Sequence, residues 1–120
     1  MESDKNRDFA KNSRTKEESV GLILKAIKER TLIRGTLVSD NNMCHCALGC
    51  LFTENQLVDM KKADLNEALV GDVAKAVGVR NLEAMTGISV LGAGFLVAAN
   101  DFSEVSLINY LKKLSPTSFQ

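Results

Sequence analysis

This chain of 120 residues has no tryptophan, one tyrosine, one proline and one histidine, and its formal net charge is zero. Each scarcity excludes something. With aromatic residues at 5%, the core must be built from Leu, Val, Ile and Ala. The only proline, Pro116, lies near the end, so nothing before it forbids helix. Balanced charge removes the basic footprint that binding to phosphate backbones requires, so nucleic acid is not an expected partner. No run is apolar enough for a membrane span; the longest uncharged stretch, Ala84 to Asn100, is interrupted by Gly87, Gly92 and Gly94. The first sixteen residues lack the apolar centre of a secretory signal. Three cysteines confined to one short segment argue against a secreted disulfide framework and predict a cytoplasmic protein.

What remains is ordinary globular material: 45% hydrophobic, 25% charged, and of a length that suits one core. The expected fold is mainly α, a compact bundle of about five helices with a short β-hairpin before the cysteine-rich turn. Residues 1–14 read as a flexible polar leader, 15–115 as a single helical domain and 116–120 as a C-terminal tail.

Thr15 and Glu18 have capping-box spacing. Val20, Ile23, Leu24, Ile27 and Leu32 then recur as an apolar stripe, with Gly35 as the expected stop. Thr36-Leu37-Val38, the turn residues Asp40-Asn41-Asn42, and Met43-Cys44 fit the hairpin. A helical turn is expected from Cys46 towards Gln56. Asp64, with Glu67 three residues on, is the expected start of a helix that buries Leu65, Ala68, Leu69, Val73, Ala76 and Val77 and stops at Gly78. A brief helix over residues 81–86 ends at Gly87. Ser89 to Ala99 is apolar all round and should be the central, most buried helix. The last helix starts near Ser103, carries Val105, Ile108, Leu111 and Leu114 inward, and ends before Pro116.

The chemistry concentrates in Cys44-His45-Cys46 and Cys50. Thiolate and imidazole are the ligands zinc prefers, which makes these four residues candidate metal ligands. Structural zinc sites, however, draw ligands from separated segments, and no second pair exists elsewhere. The cysteines therefore read better as small buried hydrophobes. A nucleophile is the second reading: Cys46 at the start of a helical turn would have a lowered pKa, with His45 as its base and Asp101 as the orienting acid. Against it, neighbours in sequence point apart. Asn100-Asp101 reads as a pair of caps between the last two helices, or alternatively as a binding site at the mouth of a pocket beside the Cys46 turn. Gly92-Ala93-Gly94 is no nucleotide fingerprint, since Val97 occupies the third glycine position and no βαβ context surrounds it. No cofactor is expected.

The Cys-Ala-Leu-Gly turn at Cys46 to Gly49 recurs here with a leading amphipathic helix, the segment Gly35-Thr-Leu-Val38 and the late Asn100-Asp101. This series resembles a family of small uncharacterised bacterial and phage proteins marked by Cys-Ala-Leu-Gly-Ala-Leu and a later Trp-Asn-Asp. The chain departs from that pattern at Cys50 and at Ala99. The resemblance implies one compact domain joining Cys46 to Asn100-Asp101, and no particular reaction.

These readings point first to a small interaction or regulatory protein, of the phage-encoded or accessory kind, that binds a protein partner. A cysteine-dependent enzyme or ligand-binding domain, and a small metal-binding protein, stand as alternatives. A homodimer through Ser89 to Ala99 is also open.

Overall fold

A computed structural model describes residues 13–120. Among these the chain forms six α-helices, two 3₁₀ turns and no strands, so the mainly α expectation holds, with six helices where about five were expected.

Helix α1, Lys16–Glu29, opens on the expected capping box: Glu18 N–H donates to Thr15 Oγ1 and Thr15 N–H to Glu18 Oε1, both at 3.1 Å. It buries Ser19, Val20, Ile23 and Ala26. It does not run to Leu32 and Gly35. Arg30, in the left-handed region, closes it by donating its N–H to the carbonyls of Ala26 and Ile27. The chain leaves early because the next residues bond elsewhere: His45 N–H donates to Thr31 O at 3.0 Å, and Ile33 N–H to His45 O at 2.9 Å.

These bonds also correct the hairpin. His45 makes two isolated bridges, parallel to Leu32 and antiparallel to Val38. One bond across each flank, Ser39 N–H to Cys44 O and Cys46 N–H to Leu37 O, completes the pairing. One residue between two neighbours is too short to make a strand.

The cysteine turn is a 3₁₀ turn, Gly49–Leu51, that breaks at Phe52 instead of continuing to Gln56. A new capping box, Thr53 with Gln56, starts α2, Glu54–Lys62, which the sequence reading had not separated. Asp64 opens no helix. Its φ of +59° places it in the turn that ends α2, and the chain stays non-helical to Leu69. Leu69 and Ala76 are exposed rather than buried. Helix α3, Val70–Val77, starts there, and Gly78 joins it to α4, Val79–Thr86.

Gly87 then takes φ +73°, and a Cβ on it would lie 2.5 Å from the backbone at Thr15 and Lys16. Only glycine lets the start of α1 pass so close. Ser19 donates through Oγ to Thr86 O at the same junction.

Helix α5, Val90–Phe102, is capped by Ser89, and α6, Glu104–Leu114, by Ser103. Contrary to expectation α5 is not the most buried element. It buries only Ala93, Leu96 and Asn100, while Leu91, Phe95 and Phe102 are 71%, 56% and 79% exposed. In α6, Val105 points outward and Leu107 takes the inner position. The core gathers Ile23, Leu48, Leu51, Met60, Val73, Leu82, Met85, Leu96, Leu107 and Leu111. Each fully buried side chain of this size contributes about 2 kcal/mol. The two ends of the domain are tied down. Arg14, at the edge of the expected leader, donates its backbone N–H to Ala84 O at 3.0 Å and its Nη1 to Leu51 O at 2.6 Å. Residues 116–120 fold as a 3₁₀ turn, Pro116–Phe119, with Phe119 against the core. The rest of the leader, residues 1–12, lies outside the described residues. Among the described residues no single helix is long and apolar enough to cross a membrane.

Candidate functional site

Asn100 and Asp101 lie within the last turn of α5, not between two helices, so they cap neither one. Their side chains reach across the fold. Asn100 is 2% exposed; its Oδ1 accepts Ala47 N–H at 3.2 Å and its Nδ2 donates to Ile33 O at 2.9 Å. Asp101 Oδ1 accepts Gly35 N–H at 3.3 Å. One end of α5 therefore holds both the 33–35 link and the cysteine turn. Asn suits position 100 because a backbone carbonyl and a backbone N–H need opposite partners, and its amide supplies a donor and an acceptor on two separate atoms.

The wall facing α5 is held the same way. Asn66 Oδ1 accepts Val38 N–H and its Nδ2 donates to Val38 O, both at 3.0 Å, while Leu37 N–H donates to Asn66 O at 2.9 Å. Between this wall and α5 lies a cleft of about 350 Å³. Leu37, Cys46 and Leu48 reach it from the core, with Val70 and Val97 at its sides. Glu67 and Asp101, both exposed, supply its charge. Cys46 and Asp101 thus line one cavity, whereas Asn100 stands behind it as a support.

No family model, curated protein or solved structure matches the chain.

The cysteine cluster is divided. Cys46 faces the cleft; its Sγ accepts Gly49 N–H at 3.3 Å. Burial pushes this thiol up, with Asp101 adding to the effect, and the amides of Gly49 and Leu48 only partly oppose it. The lowered pKa expected of Cys46 is therefore reversed: the dipole of one short turn does not offset the desolvation of a thiolate. Cys50, one turn on, shares a separate shallow groove with His45, Phe52 and residues of α1. Burial, and then the neighbouring Cys46, push the Cys50 thiol up to about 12. Burial also lowers the pKa of His45. The Cys46 cleft does not include His45, so the assumed base and nucleophile face different cavities. Cys44 is half-buried, with its N–H held by Ser39 Oγ at 3.1 Å. Among the described residues no three His, Cys, Asp or Glu side chains converge as a metal site, so Cys44, His45, Cys46 and Cys50 do not form one.

The sequence reading missed Glu67, Asn66 and Val97 as lining residues. Glu67 carried a signal, its spacing from Asp64, but that spacing is also what a helix cap would show. Nothing local marks Asn66, whose partners lie 28 residues away.

Proposed function

We propose that this chain is a small interaction protein of regulatory type that docks a macromolecular partner on the outer face of α5. One observation carries the reading. Leu91, Phe95, Ala98 and Phe102 are all exposed, and their spacing of four, three and four residues sets them in a single stripe along the helix. Val105, 68% exposed, follows at the start of α6. Charge is nearly absent here: Asp101 is the only ionisable residue between Val90 and Phe102. Large apolar side chains exposed as a contiguous group mark an interaction surface, whereas single ones do not. Two phenylalanines at the centre of such a face are the usual anchors of an interface.

The resemblance to small phage and bacterial proteins supports an accessory role for it. Three free cysteines support a reducing, cytoplasmic setting.

Site-specific photo-cross-linking in cells tests the reading. A photoreactive residue in place of Phe95 or Phe102 should give a discrete adduct, and one in place of the exposed Lys25 or Lys62 should give none. An adduct of twice 13.1 kDa would identify a second copy as the partner. The same adducts from all four positions would remove α5 as the docking face.

A further inference from the structure

We propose that the cleft between Glu67 and Asp101 binds a small organic cation, an amine carried on an apolar stem. The argument does not rest on the α5 docking face: that stripe shares only Ala98 with the cleft, and its large side chains, Leu91, Phe95 and Phe102, do not line it.

Shape comes first. A volume of about 350 Å³ is within the usual range for small-molecule sites and equals the liquid share of about twelve waters. Leu37, Leu48, Val70 and Val97 dominate the lining, so a hydrocarbon stem displaces water there favourably.

Charge then selects the head group. The lining includes the carboxylates of Glu67 and Asp101 and no lysine, arginine or histidine. Glu67 makes no hydrogen bond or ion pair among the described residues, and Asp101 spends Oδ1 alone, on Gly35 N–H. Both carboxylates therefore have acceptor capacity left for an ammonium group, which carries three donors. A carboxylate ligand would meet only repulsion, and a neutral one would lose the charge-assisted bonds. Deeper in, Cys46 is 4% exposed and lines the cleft. Its sulfur accepts Gly49 N–H, but its S–H donates to no group among the described residues. The ring of an aromatic stem at that depth would give the sulfur a favourable aromatic contact. The cleft is thus apolar at the sides, acidic at the rim and weakly donating within.

Amide correlation spectra of the full chain, titrated with phenethylamine, phenethyl alcohol and 3-phenylpropanoate, test the assignment. Phenethylamine should shift the resonances of Gly35, Asn66, Gly94 and Asp101 and reach saturation in the millimolar range. The alcohol should bind at least several-fold more weakly, and the carboxylate more weakly still. Because both acids are exposed, Glu67→Gln and Asp101→Asn should each loosen the amine by about 2- to 5-fold. Gly94→Leu should block it: a Cβ at Gly94 meets nothing within 4 Å, so the larger side chain extends into the cleft without disturbing the helix. Should Asp101→Asn unsettle the Gly35 link, Glu67→Gln and Gly94→Leu still decide the matter. Equal affinity for amine and alcohol, undiminished binding by Gly94→Leu, or no saturable shift at all would each overturn the proposal.

Discussion

The side-chain carbonyl of Asn100 accepts the backbone N–H of Ala47, 53 residues earlier in the chain, in a fully buried hydrogen bond. The same amide group donates to Ile33 O, so one side chain satisfies a donor and an acceptor from two separate segments. Replacing it with Leu keeps the volume and leaves both backbone groups without a partner. Asn100→Leu should cost about 2–4 kcal/mol, read as a drop in the urea midpoint. Asn100→Asp should not rescue it, since a carboxylate accepts from Ala47 but cannot donate to Ile33, and it brings a buried charge. If Asn100→Leu were neutral, the link between α5 and the cysteine turn would be incidental.

Gly49 has the tightest surroundings of any glycine in the domain. A Cβ built there would lie 1.8 Å from the carbonyl oxygen of Leu37. The obstacle is backbone, which cannot rotate away like a side chain. Gly49→Ala should therefore destabilise by about 3 kcal/mol or more, above the usual cost of one extra methyl group in a core. Gly71→Ala is the control: a Cβ there meets nothing within 4 Å, and the helix gains propensity. Thermal unfolding of the two variants side by side measures the difference.

Acid should weaken the fold through His45. Burial lowers its pKa from the ordinary 6.5, so the folded protein resists a proton that the unfolded chain accepts. The sign follows from linkage: as pH falls through about 6.5, the unfolded state takes up the proton first and stability declines. His45→Gln should remove this part of the decline. Between about pH 7.5 and 5.5 the urea midpoint of the parent should fall relative to that of His45→Gln as the medium becomes more acidic. Parallel curves would mean that the imidazole titrates freely.

Thiol chemistry should separate the three cysteines. With its pKa near 12 instead of 9, Cys50 has about a thousandfold less thiolate in the folded protein than in the unfolded chain. Cys46 is shifted in the same direction. An aromatic disulfide reagent at about pH 8 should modify no more than one thiol quickly, Cys44, and all three once urea is added. Fast reaction at Cys46 in the folded state would restore it as a nucleophile.

The legible parts of this fold are those whose chemistry is local. The Thr15–Glu18 box, the Ser103 cap and the helix ends at Gly78 and Gly87 each depend on bonds between residues a few positions apart, and each is where spacing placed it. The misread parts depend on distant partners. Arg30 could not be distinguished as a helix end, because what stops α1 is the pairing of Thr31 and Ile33 with His45. Asp64 and Glu67 have the spacing of a cap but serve a turn and a cleft rim. Helix α5 misled for a different reason. Hydrophobicity reports preference for leaving water, and it cannot say whether the covering surface comes from the same chain. For the candidate site, the sequence singled out Cys46 and Asp101, which do share a cavity, and grouped them with His45, which does not.

Gly87 and Thr86 receive the backbone of Thr15 and the hydroxyl of Ser19, a separation of 67 residues in the latter case. That distance has a consequence during synthesis. The first helix leaves the ribosome long before the groups that hold it exist. At translation speeds of roughly 5–20 residues per second, its docking surface follows on the order of several seconds later. Until then Val20 and Ile23, which end fully covered, have only the turn at Gly49–Leu51 and the helices that follow it to meet, with solvent or a chaperone on the remaining side.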